Sequence, residues 1–133
     1  VGRKKKDKPK HDGITFDSKL EIKHYKLFNS DPDITIVELQ KEFELFPPFE
    51  YIGLPLFNKR KYRKMVYTPD FIIKFKNLNK PIAVESKGYP RKDYFIRKKL
   101  FMMKYSDDYY FLESNSEKDM ISKMKQIKEG IKK

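Results

Sequence analysis

The chain has no cysteine, no tryptophan and only five glycines among its 133 residues. The first absence excludes disulfides, thiolate metal sites and thiol nucleophiles. It fits a reducing compartment. With cysteine missing and only two histidines, His11 and His24, far apart in the chain, a zinc site has too few ligands. Scarce glycine leaves no glycine-rich loop to cradle a nucleoside triphosphate, which argues against ATP use. No apolar run approaches the roughly 20 residues of a membrane span. The basic N-terminus has no apolar stretch behind it, so a secretory signal is not expected.

Negative charge is also in short supply. Nineteen Asp and Glu stand against 31 Lys and Arg, a net charge of +12. A small domain this basic points to a polyanionic partner. The cations are clustered: Arg3 to Lys10, then Lys59, Arg60, Lys61, Arg63 and Lys64, then Arg91, Lys92, Arg97, Lys98 and Lys99. A solubility surplus is the plainer alternative. Eleven Phe and nine Tyr supply core, with some left for base stacking.

Length fits one domain able to bury roughly two-thirds of its unfolded surface. Residues 1–10, charged and with little to bury, read as a flexible basic arm, leaving 11–133 as the folded domain. His11-Asp12-Gly13 reads as a turn. A helix follows, N-capped by Asp17 or Ser18, with Glu21 as capping-box partner of Ser18 and Leu20, His24, Leu27 and Phe28 at helical spacing. His24 on that stripe reads as a packed core residue. Asn29-Ser30-Asp31-Pro32 stops the helix. Extended segments are expected over Ile34–Phe49 and Phe49–Phe57, a loop over Asn58–Lys64, and strands over Met65–Phe75 and Pro81–Lys87. A helix over Asp93–Tyr105, a short strand over Tyr109–Glu113 and a last helix capped by Ser116 complete the pattern. Met120, Met124, Ile127 and Ile131 on that last helix serve either its own sheet, the preferred reading, or a dimer contact. The order implies an α/β fold, a small mixed sheet flanked by helices.

The chemistry is concentrated between Thr68 and Gly88. Asp70 opens one apolar run; Glu85 and Lys87 close the next. Two residues apart in a strand, Glu85 and Lys87 share a face, and Ile82 and Val84 point to the other. The turn over residues 77–81 folds the runs together and brings Asp70 to Glu85 and Lys87. Carboxylates beside a lysine suit a hard cation and a phosphate. Mg²⁺ or Mn²⁺ would take oxygens from Asp70, Glu85 and the carbonyl of Ser86, and Lys87 would orient water or stabilise the transition state. The plainer alternative is a capping Asp70 and a surface Glu85–Lys87 ion pair.

Pro69-Asp70, followed about fifteen residues later by Glu85-Ser86-Lys87, resembles the PD-(D/E)XK nuclease motif. A wider resemblance runs from about His11 to Phe111. It rests on Gly13-Ile14-Thr15-Phe16-Asp17-Ser18-Lys19-Leu20-Glu21, Glu42-Phe43-Glu44-Leu45-Phe46-Pro47-Pro48-Phe49, Tyr67-Thr68-Pro69-Asp70-Phe71, Val84-Glu85-Ser86-Lys87-Gly88 and Lys98-Lys99-Leu100-Phe101. These segments are similar to a small phage and prophage family of unknown function described as Holliday-junction-resolvase-like. The resemblance implies a restriction-endonuclease-like core and a divalent metal. It also implies a metal-ligating, catalytic role for Glu21, in competition with its capping role. The function so implied is a Mg²⁺-dependent DNA endonuclease of phage origin, acting on branched DNA in a host bacterial cytoplasm. Symmetric cutting by a resolvase would require a two-fold homodimer. Lys59, Arg60, Lys61, Arg63, Lys64, Arg91, Lys92, Arg97 and Lys98 are the expected DNA contacts; Arg97 and Lys98 face either the scissile phosphate or solvent. The alternatives are a nucleic-acid-binding module without catalysis and a nicking or restriction-like nuclease on the same core.

Overall fold

The structure, a computed structural model, describes residues 7–54, 58–87 and 91–132. A short hairpin opens it, pairing β1 (Lys10–His11) with β2 (Ile14–Thr15). Its two-residue turn places Asp12 at φ 51° and Gly13 at φ 75°. Positive φ at both positions matches the right-handed twist of the flanking strands. Pro9 is held as well, its carbonyl accepting from the Phe16 amide at 2.9 Å. Residues 1–6 of the expected arm lie outside the described residues.

Helix α1 (Lys19–Ser30) begins where expected. Ser18 is its N-cap, and the Ser18 hydroxyl accepts from the Glu21 amide at 3.2 Å. Its buried face is Glu21, His24 and Phe28. A six-residue strand, β3 (Ile34–Leu39), follows, with a bulge between Ile36 and Glu38. Gln40 at φ 52° then turns the chain out of the sheet. The single extended segment expected over Ile34–Phe49 is therefore two strands, β3 and β4 (Phe43–Phe46).

Next come β5 (Phe49–Gly53) and β6 (Asn58–Tyr62), a two-stranded antiparallel ribbon. The basic stretch expected as a loop is a strand for most of its length. It lacks apolar alternation because it buries neither face, so its pairing left no period to read. The strand expected over Met65–Phe75 is also divided. β7 (Met65–Tyr67) pairs with β4, and β8 (Phe71–Phe75) enters the main sheet. Thr68-Pro69-Asp70 makes the crossing, where a proline lacks the donor a ladder needs.

The main sheet is completed by β9 (Ile82–Ser86) and β10 (Tyr110–Ser114), joined through helix α2 (Lys92–Tyr105). Strand order is β10-β9-β8-β3, with β10 parallel to β9 and the other pairs antiparallel. Helix α3 (Glu117–Ile131), N-capped by Ser116, closes the chain. Alternation along β8 and β9 divides the core. Phe71, Ile73, Phe75, Ile82 and Val84 meet Phe28, Met120 and Met124 on one face. Ile72 and Ala83 meet Phe43, Tyr67, Tyr94 and Phe101 on the other. Ile127 and Ile131 pack against the first cluster, so the apolar face of α3 serves its own sheet. Among the described residues no helix is long and apolar enough to cross a membrane.

Candidate metal centre

Asp70 sits where the chain crosses from β7 to β8, and it is clamped from both sides. Its amide donates to the Val84 carbonyl at 2.9 Å. Its Oδ2 accepts from the Ser86 amide at 2.8 Å. Its carbonyl accepts from the Gln40 amide at 3.2 Å. Val84 and Ser86 flank Glu85, so the hairpin expected from the sequence does bring Asp70 beside Glu85.

Period-two alternation sorts the end of β9. Glu85 shares the face of Ala83; Ser86 shares the face of Val84 and turns toward α1 and α3. There the Ser86 hydroxyl lies 2.6 Å from His24 Nδ1. His24 Nε2 lies 3.0 Å from the Ser116 carbonyl, which can only accept. The neutral ring therefore carries its proton on Nε2, and the Ser86 hydroxyl donates to Nδ1. Burial lowers the His24 pKa, consistent with a neutral imidazole. The sequence placed His24 in the core. It did not reveal that the same ring ties α1, the site strand and the start of α3 together.

Glu85 is buried. Its Oε2 accepts from the Tyr67 hydroxyl at 2.7 Å, and its Oε1 lies 3.5 Å from Lys87 Nζ. The Lys87 ammonium also stands 5.2 Å over the Tyr94 ring. Glu21, on the first turn of α1, is buried too. Its Oε2 accepts from the Asp17 amide at 3.2 Å. Glu21 thus closes the helix start one residue further out than a capping box would. It does so while its carboxylate also stands in an acidic group.

That group is Asp17, Glu21 and Asp70, each offering an oxygen within 4.8 Å of the others. Asp17, expected only as an alternative cap, is the residue the sequence pattern did not reveal. Lys8 holds it at 2.7 Å and Gln40 Nε2 at 3.1 Å. Both contacts come from outside the helix; the only local signal was an acidic residue four positions before Glu21. Glu85 stands beside the trio but is not part of it, because its carboxylate faces Tyr67 and Lys87.

The electrostatics follow from this crowding. Burial, with Glu85 and Glu21 as like-charged neighbours, pushes the Asp70 carboxyl up to about 9. Burial also raises Glu21 and Glu85, against the hydrogen bonds and the Lys87 charge that favour their ionised forms. Asp17 moves the other way, held below the usual carboxylate range by its hydrogen bonds from Lys8 and Gln40. Oxygens from Asp17, Glu21 and Asp70 form a set suited to a hard divalent cation, with the crowded Glu85 carboxyl beside it.

Asp17 and Glu21 of the trio open on a cleft of about 630 Å³ also lined by Glu85, Ser86 and Lys87, with Arg91 and Arg97 on its wall. Arg97 is anchored there by the Val66 carbonyl and by Asp93 at 3.6 Å. Lys98 goes elsewhere: it pairs with Glu113 at 2.9 Å and is not part of the cleft wall. Lys59, Arg60 and Lys61 are exposed on the ribbon, and Arg63 and Lys64 follow it; Lys64 pairs with Glu42 at 2.9 Å. Lys92 is exposed at the start of α2.

The chain matches no curated protein and no solved structure. A family match spans residues 3–120, which include every side chain of the acidic trio, the cleft and the ribbon. The protein belongs to the family described as Protein of unknown function (DUF1064).

Proposed function

We propose that this protein is a metal-dependent DNA endonuclease with a restriction-endonuclease-like, PD-(D/E)XK-type core. The observation that carries the reading is the placement of Asp70. It is locked between Val84 and Ser86, crowded by Glu21 and Glu85 into holding its proton, with Lys87 3.5 Å from Glu85. A structural ion pair would not need three buried or half-buried acids at one cleft.

Asp70, Glu21 and Asp17, with Glu85 and the Ser86 carbonyl as further oxygens, would hold Mg²⁺ or Mn²⁺. Such an ion supplies charge neutralisation at the phosphate and activation of water. The chain's own residues supply the rest. Lys87 places a compact positive charge where negative charge develops on the phosphorane-like transition state. Tyr67 fixes one Glu85 oxygen. Arg91 and Arg97, on the same wall, suit the flanking phosphates of the strand being cut. The net charge of +12 supplies sequence-independent attraction to the polyanion.

Branched DNA is the proposed substrate, with a two-fold homodimer as the form that cuts a junction symmetrically. The test is a panel of four-way junction, fork, duplex and single-stranded DNA, incubated with Mg²⁺ or Mn²⁺, using wild type and Asp70→Ala. Metal-dependent cutting by wild type alone supports the enzyme. Equal binding with no cutting by either makes the protein a nucleic-acid-binding module. Cutting of plain duplex in preference to the junction makes it a nicking or restriction-like nuclease.

A further inference from the structure

The β5–β6 ribbon is the least buried paired structure in the fold. Nine of its ten residues are exposed, and its extensive contacts are within itself. An unsupported two-stranded hairpin is marginal in water, so a ribbon that leaves its side chains uncovered is built for contact with something else. The register shows what each face offers, because directly paired residues share a face. Phe49 pairs with Tyr62, Tyr51 with Arg60 and Gly53 with Asn58. Those six residues form an aromatic face bearing one guanidinium. Glu50 pairs with Lys61 and Ile52 with Lys59, so the opposite face carries two lysines against one glutamate.

The aromatic face is ordered. The Phe49 and Tyr62 rings stack at 5.0 Å with 15° between planes. The Tyr51 ring lies over Gly53, where a Cβ would come within 2.7 Å of it. Glycine thus leaves room for the ring to lie on the ribbon. Yet these rings remain open to solvent, Tyr51 at 58% and Phe49 at 49%. The ribbon is joined at both ends to the strand pair that borders the candidate site. Its strands follow β4 and precede β7, and Val66 and Tyr67 of β7 wall the cleft.

We propose that the ribbon is a DNA arm whose aromatic face stacks on unpaired bases while Lys59 and Lys61 on the other face hold phosphates. The preferred substrate is then DNA with unpaired nucleotides beside a duplex, such as a fork or an open junction. The inference rests on the nuclease reading for the polymer's identity and deepens it. Charge decides against a second copy of the chain as occupant. The paired strands carry Lys59, Arg60 and Lys61 against Glu50 alone, so two ribbons would repel. Exposed rings beside an arginine are the sequence-tolerant stacking surface that single strands use.

The test measures binding of the full chain in EDTA, so no cleavage is required. Fluorescence anisotropy compares a fork with a blunt duplex of the same sequence. Tyr51→Ala weakens fork binding by about tenfold or more, the loss expected for one stacked base, and changes duplex binding by less than about twofold. Tyr51→Phe keeps the fork affinity. Lys59→Gln with Lys61→Gln weakens both DNAs alike and lowers the salt slope. Thermal melting by circular dichroism checks that each variant stays folded. In wild type, 2-aminopurine at the unpaired position is quenched on binding. Equal losses on fork and duplex, no loss on either, or unquenched 2-aminopurine overturns the proposal. So does a wild-type dimer in sedimentation that Tyr51→Ala dissociates. Failure of the nuclease reading shows separately, as absence of cutting with Mn²⁺ while the fork preference and its loss in Tyr51→Ala persist.

Discussion

Replacing Asp70 with asparagine tests the candidate centre without any DNA. Asparagine keeps an oxygen to accept from the Ser86 amide, the contact now made at 2.8 Å, but it brings no charge to a place where Glu21 and Glu85 oppose one. The folded Asp70 carboxyl sits at about 9 against an ordinary 3.8. The folded protein therefore binds this proton more tightly than the unfolded chain does. The associated stability is complete below pH ~4 and is lost as pH rises toward 9. Each unit is worth about 1.4 kcal/mol, so the full shift would cost wild type more than about 5 kcal/mol by pH 8. Asp70 is half-buried beside an open cleft, and solvent screening leaves about 2 kcal/mol of this. The asparagine variant does not bear that penalty. Asp70→Asn is thus expected to melt roughly 5–10 °C above wild type at pH 8 in EDTA, with the gap closing near pH 4. Saturating Mn²⁺ reverses the order. A ligand at a hundred times its Kd stabilises wild type by about 2.7 kcal/mol, whereas Asp70→Asn gains little. The assay is thermal melting by circular dichroism from pH 4 to 9, with EDTA or Mn²⁺. Identical melting at pH 8 in EDTA refutes the carboxyl crowding, and equal stabilisation of both proteins by Mn²⁺ refutes the metal centre.

Glu85→Gln and Lys87→Ala are each expected to lower the cleavage rate by at least about 10²–10³ while leaving the Kd for DNA in EDTA within about twofold; wild-type cutting by either variant removes that residue from the mechanism. His24→Ala leaves the Ser86 hydroxyl and the Ser116 carbonyl without their ring partners and opens a cavity, a loss of about 2–4 kcal/mol readable by urea denaturation at pH 7.5. Because burial depresses the His24 pKa, wild type should also lose stability as pH falls below about 6.5, and His24→Ala should lack that slope; parallel pH profiles would show that the ring is not buried neutral. DNA affinity should fall steeply with salt. Deleting residues 1–6, which carry Arg3, Lys4, Lys5 and Lys6 and spare the Lys8–Asp17 pair, should flatten the plot of log K against log salt by up to about 0.9 for each phosphate those residues neutralise, and an unchanged slope would show that they do not touch DNA.

The parts of this fold that could be read from the chain are those whose side chains are sorted by burial. β8 and β9 alternate between two cores, so their hairpin and the convergence of Asp70 on Glu85 could be read from period two and the turn over residues 77–81, though not the register that pairs Phe71 with Val84. The same holds for α1 and α3, whose serine caps and apolar spacing located both starts. What escaped reading lies where burial gives no instruction. Asp17 joins the acidic group because Lys8 and Gln40, distant in sequence, hold it there, and no window around Asp17 contains that information. The break at Pro69 was written in the sequence, but an apolar run on either side hid it. β6 was invisible as a strand because Asn58–Tyr62 is exposed throughout and is held by backbone pairing that any sequence of suitable twist can make. A strand with a buried face is constrained by its own core, so its residues report the fold. A ribbon with both faces in water is free of that constraint, and its composition reports what it meets. Two stacked rings and a tyrosine lying over glycine, all left in water, are poor choices for solubility alone, and they stand beside three consecutive cations. They become coherent choices when base planes and phosphates are what the ribbon touches.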